Sequence, residues 1–350
     1  MKNLIEFFRK NNIGEPPWGY SFLQNLPESE YPKYLKKIYK YRTGENLNLK
    51  HPKTFNEKLQ WIKLYGVTDL MRDCTDKVKV RDYVREKIGE EYLKPVLQII
   101  PNESHETVCC HCEQVNDNLG LARQSTLKSK HTMDCHADNK MPPSARNDGK
   151  LEDVSTYFDK IDFDKLPNSF VIKTNHGSKW QYIIKDKEQF LPNKQLFETV
   201  KSNITGWLEQ DYSLWCGFEL QYKNITPKIL IEPLMREEIN TMCEQINVYC
   251  CSGMPKIFIR FQDNKTTLYD EELKIIDDVL SNGDVKINKP VDDLLNQTFV
   301  LSKQLSKDFC FVRVDWMIYQ NKLYFEEFTF TPFSGFKNMG EKSLLNIIER

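Results

Sequence analysis

Near the end of the chain, one arginine, two carboxylates and one hydroxyl recur at strand spacing. In FCFVRVDWMI the even positions are apolar, and the odd positions include Arg313 and Asp315. In LYFEEFTFT, Glu327 and Thr329 are also two residues apart. Because side chains alternate between the two faces of a strand, each pair shares a face.

The two segments are separated only by Tyr319 to Lys322, so they are predicted to pair as an antiparallel hairpin. A connection of three or five residues would place Asp315 opposite Glu327, with Glu326 on the other face. Facing carboxylates repel unless a cation lies between them, and Mg²⁺ prefers oxygen ligands. The pattern predicts a magnesium site. The alternative is a solvent-exposed face on which the two acids never meet.

A second candidate for phosphate chemistry is the stretch FVIKTNHGSKW. An apolar run ends at Lys173, and a polar turn containing Gly177 follows. A lysine ammonium is a compact charge that suits a phosphate. The alternative is a buried strand that ends in an ordinary loop.

The elements that must position these side chains alternate between helical and strand patterns. Helices are predicted for YPKYLKKIYKYRT up to Gly44, for FNEKLQWIKLY after an N-cap at Thr54, for DKVKVRDYVREKI up to Gly89, for QLFETVKSNITGWLEQ and for VDDLLNQTFVLSKQLSKD. Strands are predicted for KPVLQII, FVIK, QYIIKD, PKILIEPLM, INVYCC and PKIFIRF, the last two forming a hairpin around Ser252-Gly253.

Some side chains in these segments are expected to have purely structural positions. Trp61 and Tyr65 are expected to pack in the core. The acidic pairs Asp277-Asp278 and Asp292-Asp293 are expected to lie on solvated surfaces and to form no metal site.

Composition limits the class of protein. The 350 residues suggest two or three packed units, and 40% hydrophobic with 28% charged residues is ordinary for a soluble globular protein. A net charge of −1 gives no electrostatic reason to expect nucleic acid or an anionic membrane as a partner. The apolar stretches are too short to span a bilayer, and MKNLIEFFRKNN lacks the features of a secretory signal. Six cysteines in apolar or helical contexts favour reduced thiols and a cytoplasmic location.

The segment 103–150 differs from the rest of the chain, since it contains no Ile, Phe, Trp or Tyr. It cannot bury enough apolar area to offset the entropy of ordering, so we interpret it as an insertion. Its candidate zinc ligands are Cys109, Cys112, His131 and Cys135. The composition favours a disordered loop over this zinc site.

Four stretches together resemble the ATP-grasp ligases, and most closely their TupA-like branch, which is associated with teichuronopeptide and polysaccharide biosynthesis. These stretches are KTFNEKLQWIKLYG, DKVKVRDYVREKIGEEYLKP, IDFDKLPNSFVIKTNHGS and FVRVDWMIYQNKLYFEEFTFTPFSGF. The resemblance implies an α+β, ATP-grasp fold that holds the nucleotide between two α+β subdomains. The implied divisions are a helical N-terminal region (1–70), a core (71–102 and 151–350) whose lid is about 165–235, and the low-hydrophobicity insertion at 103–150.

The same resemblance implies the roles of individual residues. Lys77 and Lys173 match the two lysines that contact phosphates. In the family these lie about fifty residues apart, and removing 103–150 restores that spacing here. Ser178 matches the loop that covers the phosphates, and Glu232 matches the residue near the exocyclic amine of adenine.

Further roles follow from the resemblance in the second half of the chain. The backbone of Pro233, Leu234 and Met235 is expected along the base edge. Asp315, Glu327 and Thr329 match the magnesium ligands, and Arg313 matches the arginine that steadies the transferred phosphoryl group, so that Arg313 and Lys173 are the expected catalytic residues. Candidate substrate contacts are Arg260, Ser334 and Gly335.

Three departures from the family pattern bear on catalysis. Lys179-Trp180 replaces a Gly-Gly pair, Gln245-Ile246-Asn247 replaces an Asp-Tyr-Lys run, and Phe333 replaces the first glycine of TPGSGF. They could retune the substrate site or abolish turnover.

The implied function is an ATP- and Mg²⁺-dependent carboxylate–amine ligase that acts through an acyl-phosphate. Its partners would be small-molecule or saccharide carboxylates and amines, with no nucleic acid and no membrane span. The alternatives are a nucleotide-binding pseudoenzyme and a sugar-modifying transferase. The sequence leaves the oligomeric state open.

Overall fold

Two antiparallel sheets carry the residues singled out by the sequence. The computed structural model describes residues 19–101, 153–236, 238, 241–263, 265–276 and 285–336. Within these ranges, residues 19–101 and 154–336 belong to one unit. The candidate zinc ligands, the rest of 103–150 and Asp277-Asp278 lie outside the described residues.

The N-terminal part is helical. Its helices are α1 (Tyr20–Gln24), α2 (Tyr31–Thr43), α3 (Phe55–Tyr65), α4 (Asp69–Thr75) and α5 (Val80–Ile88). Thr54 and Glu57 form a capping box at the start of α3, which confirms the predicted N-cap. Helix α2 ends at Gly44 in the left-handed conformation, as its sequence predicts. Helix α5 begins at Val80 rather than at Asp76, and the Asp76 carboxylate accepts from the backbone amides of Val78 and Lys79, which precede the helix.

The smaller sheet contains the strand that carries Lys173. Its strands are β1 (Gln98–Ile100), β2 (Phe170–Thr174), β3 (Gln181–Ile184) and β4 (Ile229–Pro233), in the order β1-β4-β2-β3. Helices α6 (Lys187–Phe190) and α7 (Lys194–Leu208) follow β3. Val200, Ile204 and Leu208 on α7 pack with Phe170 and Ile172 on β2, which holds the strand that ends at the candidate lysine.

The larger sheet carries the predicted carboxylates. Its strands are β5 (Glu244–Cys251), β6 (Met254–Gln262), β7 (Lys265–Tyr269), β8 (Ile275–Ile276), β9 (Val285–Lys286), β10 (Phe311–Tyr319) and β11 (Lys322–Thr329). The order is β11-β10-β5-β6-β7-β8, and β9 pairs with β7. Helix α8 (Asp293–Leu305) packs on one face together with α5, and the predicted hairpin around Ser252-Gly253 is formed by β5 and β6.

Two structural expectations are wrong. Trp61 and Tyr65 are 40% and 52% exposed and contact each other on the surface of α3. Asp292 is not simply solvated, since it caps α8 and forms an ion pair with Arg260. The six described cysteines are free, as predicted, although Cys310 is exposed.

Candidate active site

The carboxylates of the terminal hairpin face each other because of a β-bulge. The turn between β10 and β11 has only two residues, and Tyr319 pairs with Lys322. That register alone would place Glu326 opposite Asp315. An irregularity between Asp315 and Trp316 shifts the pairing by one residue, so that Asp315 pairs with Glu327.

Strict alternation along β11 predicted that Glu326 lies on the face opposite to that of Glu327, and this prediction is wrong. Phe325 and Phe328 both lie in the core, with two residues between them instead of one. Glu326 and Glu327 thus both lie off the core face. The pattern LxFEEFxF contained this signal, because its apolar period breaks at the two glutamates.

Arg313, Asp315, Glu327 and Thr329 form a cluster that we call the carboxylate hairpin. The guanidinium of Arg313 donates from Nε to Asp315 Oδ1 (2.6 Å) and from Nη2 to Asp315 Oδ2 (2.6 Å). It also donates to the Thr329 hydroxyl at 2.9 Å. The Thr329 hydroxyl lies 3.2 Å from Asp315 Oδ2 and 3.4 Å from Glu327 Oε1, between the two carboxylates.

The electrostatics of this cluster follow from burial and repulsion. Burial raises the pKa of Asp315 to about 6, although Arg313 opposes the rise and Glu327 adds to it. Burial alone would lower the pKa of Arg313, but Asp315 outweighs burial and raises it. A further cation would reduce the repulsion between the two carboxylates.

The donor set of the hairpin fits Mg²⁺. It consists only of carboxylate and hydroxyl oxygens, which are hard ligands. In the part of the chain that the structure describes, there is no group of three or more His, Cys, Asp or Glu side chains placed to hold a metal. Two carboxylates suit an ion that keeps waters and substrate phosphates as its remaining ligands.

A second cluster, the lysine cluster, consists of Lys77, Lys94, Lys173, Glu232 and Glu326. Lys173, at the end of β2, lies with its Nζ 2.6 Å from Glu232 Oε2 on the neighbouring strand β4. Lys94 Nζ lies 3.1 Å from the same Oε2 atom and 2.8 Å from Glu326 Oε2. Burial raises the pKa of Glu232, but Lys173 and Lys94 outweigh burial and lower it to about 2. Burial lowers the pKa of Lys173, which Glu232 opposes.

Lys77 is held against the polar turn that follows β2. Its Nζ donates to the Gly177 carbonyl, and its backbone amide donates to the Asn175 carbonyl at 3.2 Å. Burial lowers the pKa of Lys77 to about 8, and the charge of Glu327 is the largest influence in the opposite direction. Lys77 and the carboxylate hairpin therefore act on each other electrostatically.

Asn175 fixes this turn, a role that the sequence analysis missed. Its fully buried side chain donates to Asp76 Oδ1 and to the Thr226 carbonyl, both at 3.0 Å. It also accepts from the Lys228 amide at 2.7 Å. One amide thus joins three chain segments. TNHGS carried a weak signal, since a buried Asn needs several partners.

The departure at Lys179-Trp180 changes the turn in a defined way. Lys179 has φ +60, the left-handed region that favours glycine. Trp180 is buried and stacks on Trp207. Its ring lies against Gly177, where any Cβ would collide with it. Ser178 is half-buried in this turn.

The residues expected along the base follow Glu232 directly. Strand β4 ends at Pro233, and Leu234 donates to the Ser169 carbonyl at 3.4 Å. The Met235 carbonyl lies 3.1 Å from Cys243 Sγ. The structure therefore places these three residues at the end of the strand that carries Glu232.

The candidate substrate contacts already have protein partners. Arg260 Nε and Nη2 donate to Glu244, and Nη1 donates to Asp292 at 2.7 Å. The Ser334 carbonyl accepts from Gln60 (2.9 Å) and Lys63 (2.5 Å), and the Gly335 carbonyl accepts from Gln60 at 2.7 Å. Sequence reasoning missed Gln60 and Lys63, which hold the backbone after β11 from helix α3.

Comparison with known proteins identifies the family to which the chain belongs. The arrangement of two antiparallel sheets with helices packed on them agrees with an ATP-grasp protein. A family profile described as "TupA-like ATPgrasp" matches residues 150–348. The chain belongs to this family, and its fold is α+β, of the ATP-grasp type.

Solved structures give partial similarities. The D-alanine–D-alanine ligase from Bacillus anthracis is 19% identical, with 54% of this chain and 51% of that chain covered and a TM-score of 0.31. The Helicobacter pylori D-alanine–D-alanine ligase is 16% identical, with 56% and 52% covered and a TM-score of 0.29. The ATP-grasp ligase PsnB with its precursor peptide and AMPPNP is 11% identical, with 48% and 39% covered and a TM-score of 0.24.

This chain spans about half the length of the D-alanine–D-alanine ligases that it matches. Similar solved structures include the Bacillus anthracis ligase complexed with ATP and PsnB complexed with Mg and ADP. The comparison with curated proteins gives no match. Among the described helices, none has the length and apolarity needed to cross a membrane.

Proposed function

We propose that this protein is an ADP-forming ligase that joins a carboxylate to an amine. The observation that carries the proposal is the pairing of Asp315 with Glu327 on the carboxylate hairpin, in a chain of the TupA-like ATP-grasp family. The charge of Glu327 also opposes the lowering of the pKa of Lys77. Lysine ammonium groups and a pair of carboxylates suit a nucleoside triphosphate with its magnesium ion.

The residues divide the work of binding. Lys77 and Lys173 would bind the phosphates, with the turn at Ser178 covering them. Both ion pairs of Glu232 converge on Oε2, and Oε1 accepts no hydrogen bond from the described residues. Oε1 is therefore available to the exocyclic amine of adenine, with the backbone from Pro233 to Met235 along the base.

The carboxylate hairpin would hold the metal. Asp315, Glu327 and Thr329 would ligate Mg²⁺, which supplies charge neutralisation between the phosphates. Arg313 orients Asp315 through two hydrogen bonds, and it would lie beside the transferred group.

The reaction has two balanced steps. A substrate carboxylate oxygen attacks the γ-phosphorus of ATP, the bond to the β-phosphate oxygen breaks, and ADP leaves. An amine then attacks the carbonyl carbon of the acyl-phosphate, phosphate leaves, and the amine loses a proton. The protein contributes positioning and charge neutralisation. A sugar- or amino-acid-derived substrate in polysaccharide or glycoconjugate synthesis fits the family assignment.

The test measures ADP and phosphate release from Mg·ATP over a panel of amino acids and uronic acids. Release only when a carboxylate and an amine are both present supports the ligase. Tight Mg·ATP binding without release over the panel would favour a nucleotide-binding pseudoenzyme. Transfer to a sugar without ATP consumption would favour a transferase.

A further inference from the structure

Lys94 lies in the connection between the two sheets. The residue before it, Leu93, forms a backbone bridge with Phe325 on β11. The residues after it enter β1, and the Leu97 amide donates to the Ile231 carbonyl on β4 at 2.8 Å. Lys94 therefore lies in the short segment that connects one sheet to the other.

The side chain of Lys94 contacts both sheets as well. It is only 9% exposed, and its ammonium bonds Glu232 on β4 and Glu326 at the bulge of β11. Burial lowers the pKa of Lys94, but Glu326 and Glu232 outweigh burial and raise it, so the side chain stays charged. The guanidinium of Arg81 donates to the Lys94 carbonyl at 3.0 Å and fixes the backbone here.

A contribution to folding stability alone does not explain the buried ion pairs of Lys94. A buried ion pair seldom stabilises a fold more than apolar residues of the same volume. What the ion pairs do determine is the orientation of Glu232. Lys94 and Lys173 both bond Oε2, and Oε1 accepts no hydrogen bond from the described residues.

We propose that Lys94 is a positioning residue for base recognition, which orients Glu232 so that its Oε1 atom meets the exocyclic amine of the nucleotide base. Lys94 acts through Glu232 and does not touch the nucleotide. This inference rests on the proposed nucleotide site.

The experiment compares Mg·ATP with Mg·ITP, in which a carbonyl oxygen replaces the exocyclic amine. Dissociation constants of both are measured by calorimetry for the full-length parent and for Lys94→Met, which keeps the length of the side chain but removes its charge. We expect the parent to bind Mg·ATP more tightly than Mg·ITP. In Lys94→Met the ratio of the two dissociation constants should fall at least fivefold, mainly because Mg·ATP binds more weakly. Lys94→Arg should restore most of it, since it keeps the charge.

Two further variants complete the design. Glu326→Gln removes the other partner of Lys94 and should reduce the preference in the same direction by a smaller factor. Lys33→Met removes an exposed lysine that pairs with Glu30 and should leave both constants unchanged. If Lys94→Met does not fold, the comparison of Lys94→Arg and Glu326→Gln with the parent decides the question.

The outcomes are distinct. An unchanged ATP-to-ITP ratio in Lys94→Met overturns the inference, whether or not the thermal midpoint falls, because a purely structural residue would weaken both nucleotides alike. The proposed nucleotide site fails separately if Lys173→Ala binds Mg·ATP as tightly as the parent. Failure of the parent to bind Mg·ATP overturns both.

Discussion

The carboxylate hairpin and the lysine cluster carry excess charges of opposite sign. In the hairpin, two carboxylates face each other and one guanidinium compensates for them, which leaves one negative charge. In the lysine cluster, Lys94 and Lys173 pair with Glu232 and Glu326, and Lys77 adds a third ammonium group that donates to a backbone carbonyl, which leaves one positive charge. Each region thus lacks one counter-charge. We propose that a metal ion supplies it on one side and a phosphate on the other.

The largest effect on this difference between the two clusters is expected when a cation is removed from the lysine cluster. Lys173→Ala should weaken Mg·ATP binding by tenfold or more and abolish ATP-dependent turnover, since a phosphate loses its counter-charge. The fold should persist, because Glu232 keeps its ion pair with Lys94. Calorimetric titration and a thermal melt measure the two effects. Lys165→Ala, at an exposed lysine, is the control. A variant that no longer melts cooperatively would show that Lys173 is needed for the fold instead.

In the hairpin, Glu327→Gln removes one of the two facing charges and keeps the shape. It should weaken Mg·ATP binding by about tenfold, an effect that grows as Mg²⁺ is lowered. The protein without nucleotide should be equally or more stable, because the repulsion on Asp315 is relieved. Titrations at several Mg²⁺ concentrations measure this. Glu326→Gln is the matched control, and it should change the Mg²⁺ dependence little. Equal Mg²⁺ dependence in both variants would contradict the bulge register.

The pH response of Lys77 separates folding from binding. Its pKa in the folded protein is about 8, below the ordinary value of 10.5. Between these values the unfolded chain binds more protons, so the contribution of Lys77 to folding stability rises with pH in that window. Phosphate binding needs the protonated ammonium, so Mg·ATP affinity should fall above pH 8 by several-fold per pH unit. Lys77→Arg should flatten this fall, because a guanidinium keeps its charge. A fall that is identical in parent and variant would exclude Lys77 as its source.

The smallest effect is expected from the segment outside both clusters. Deleting residues 103–150, with Asn102 joined to Leu151, should change the thermal midpoint little and the Mg·ATP dissociation constant by less than about twofold. Chemical denaturation and calorimetry measure this. An insoluble product would show that the segment belongs to the core, and stoichiometric zinc that is lost on deletion would show a metal site there.

Much of the local structure could be predicted from the sequence, because its causes are local. The capping box at Thr54, the helix end at Gly44 and the β5–β6 hairpin at Ser252-Gly253 each depend on residues within a few positions. The exposed faces were less predictable. Trp61 is 40% exposed and its ring contacts that of Tyr65, so the described chain covers that side of α3 only in part.

The sequence by itself determined which chemistry is available: carboxylates and an arginine at strand spacing, a lysine at a strand end, and a polar turn. Only the tertiary structure decided how they meet. Asp315 faces Glu327 because of a bulge whose extra residue is accommodated by core packing of Phe325 and Phe328. Glu232 bonds Lys94 from 138 positions earlier in the chain. Alternation and capping act over a few residues, whereas the pairing of buried charges depends on which strands become neighbours, and no short stretch of sequence contains that information.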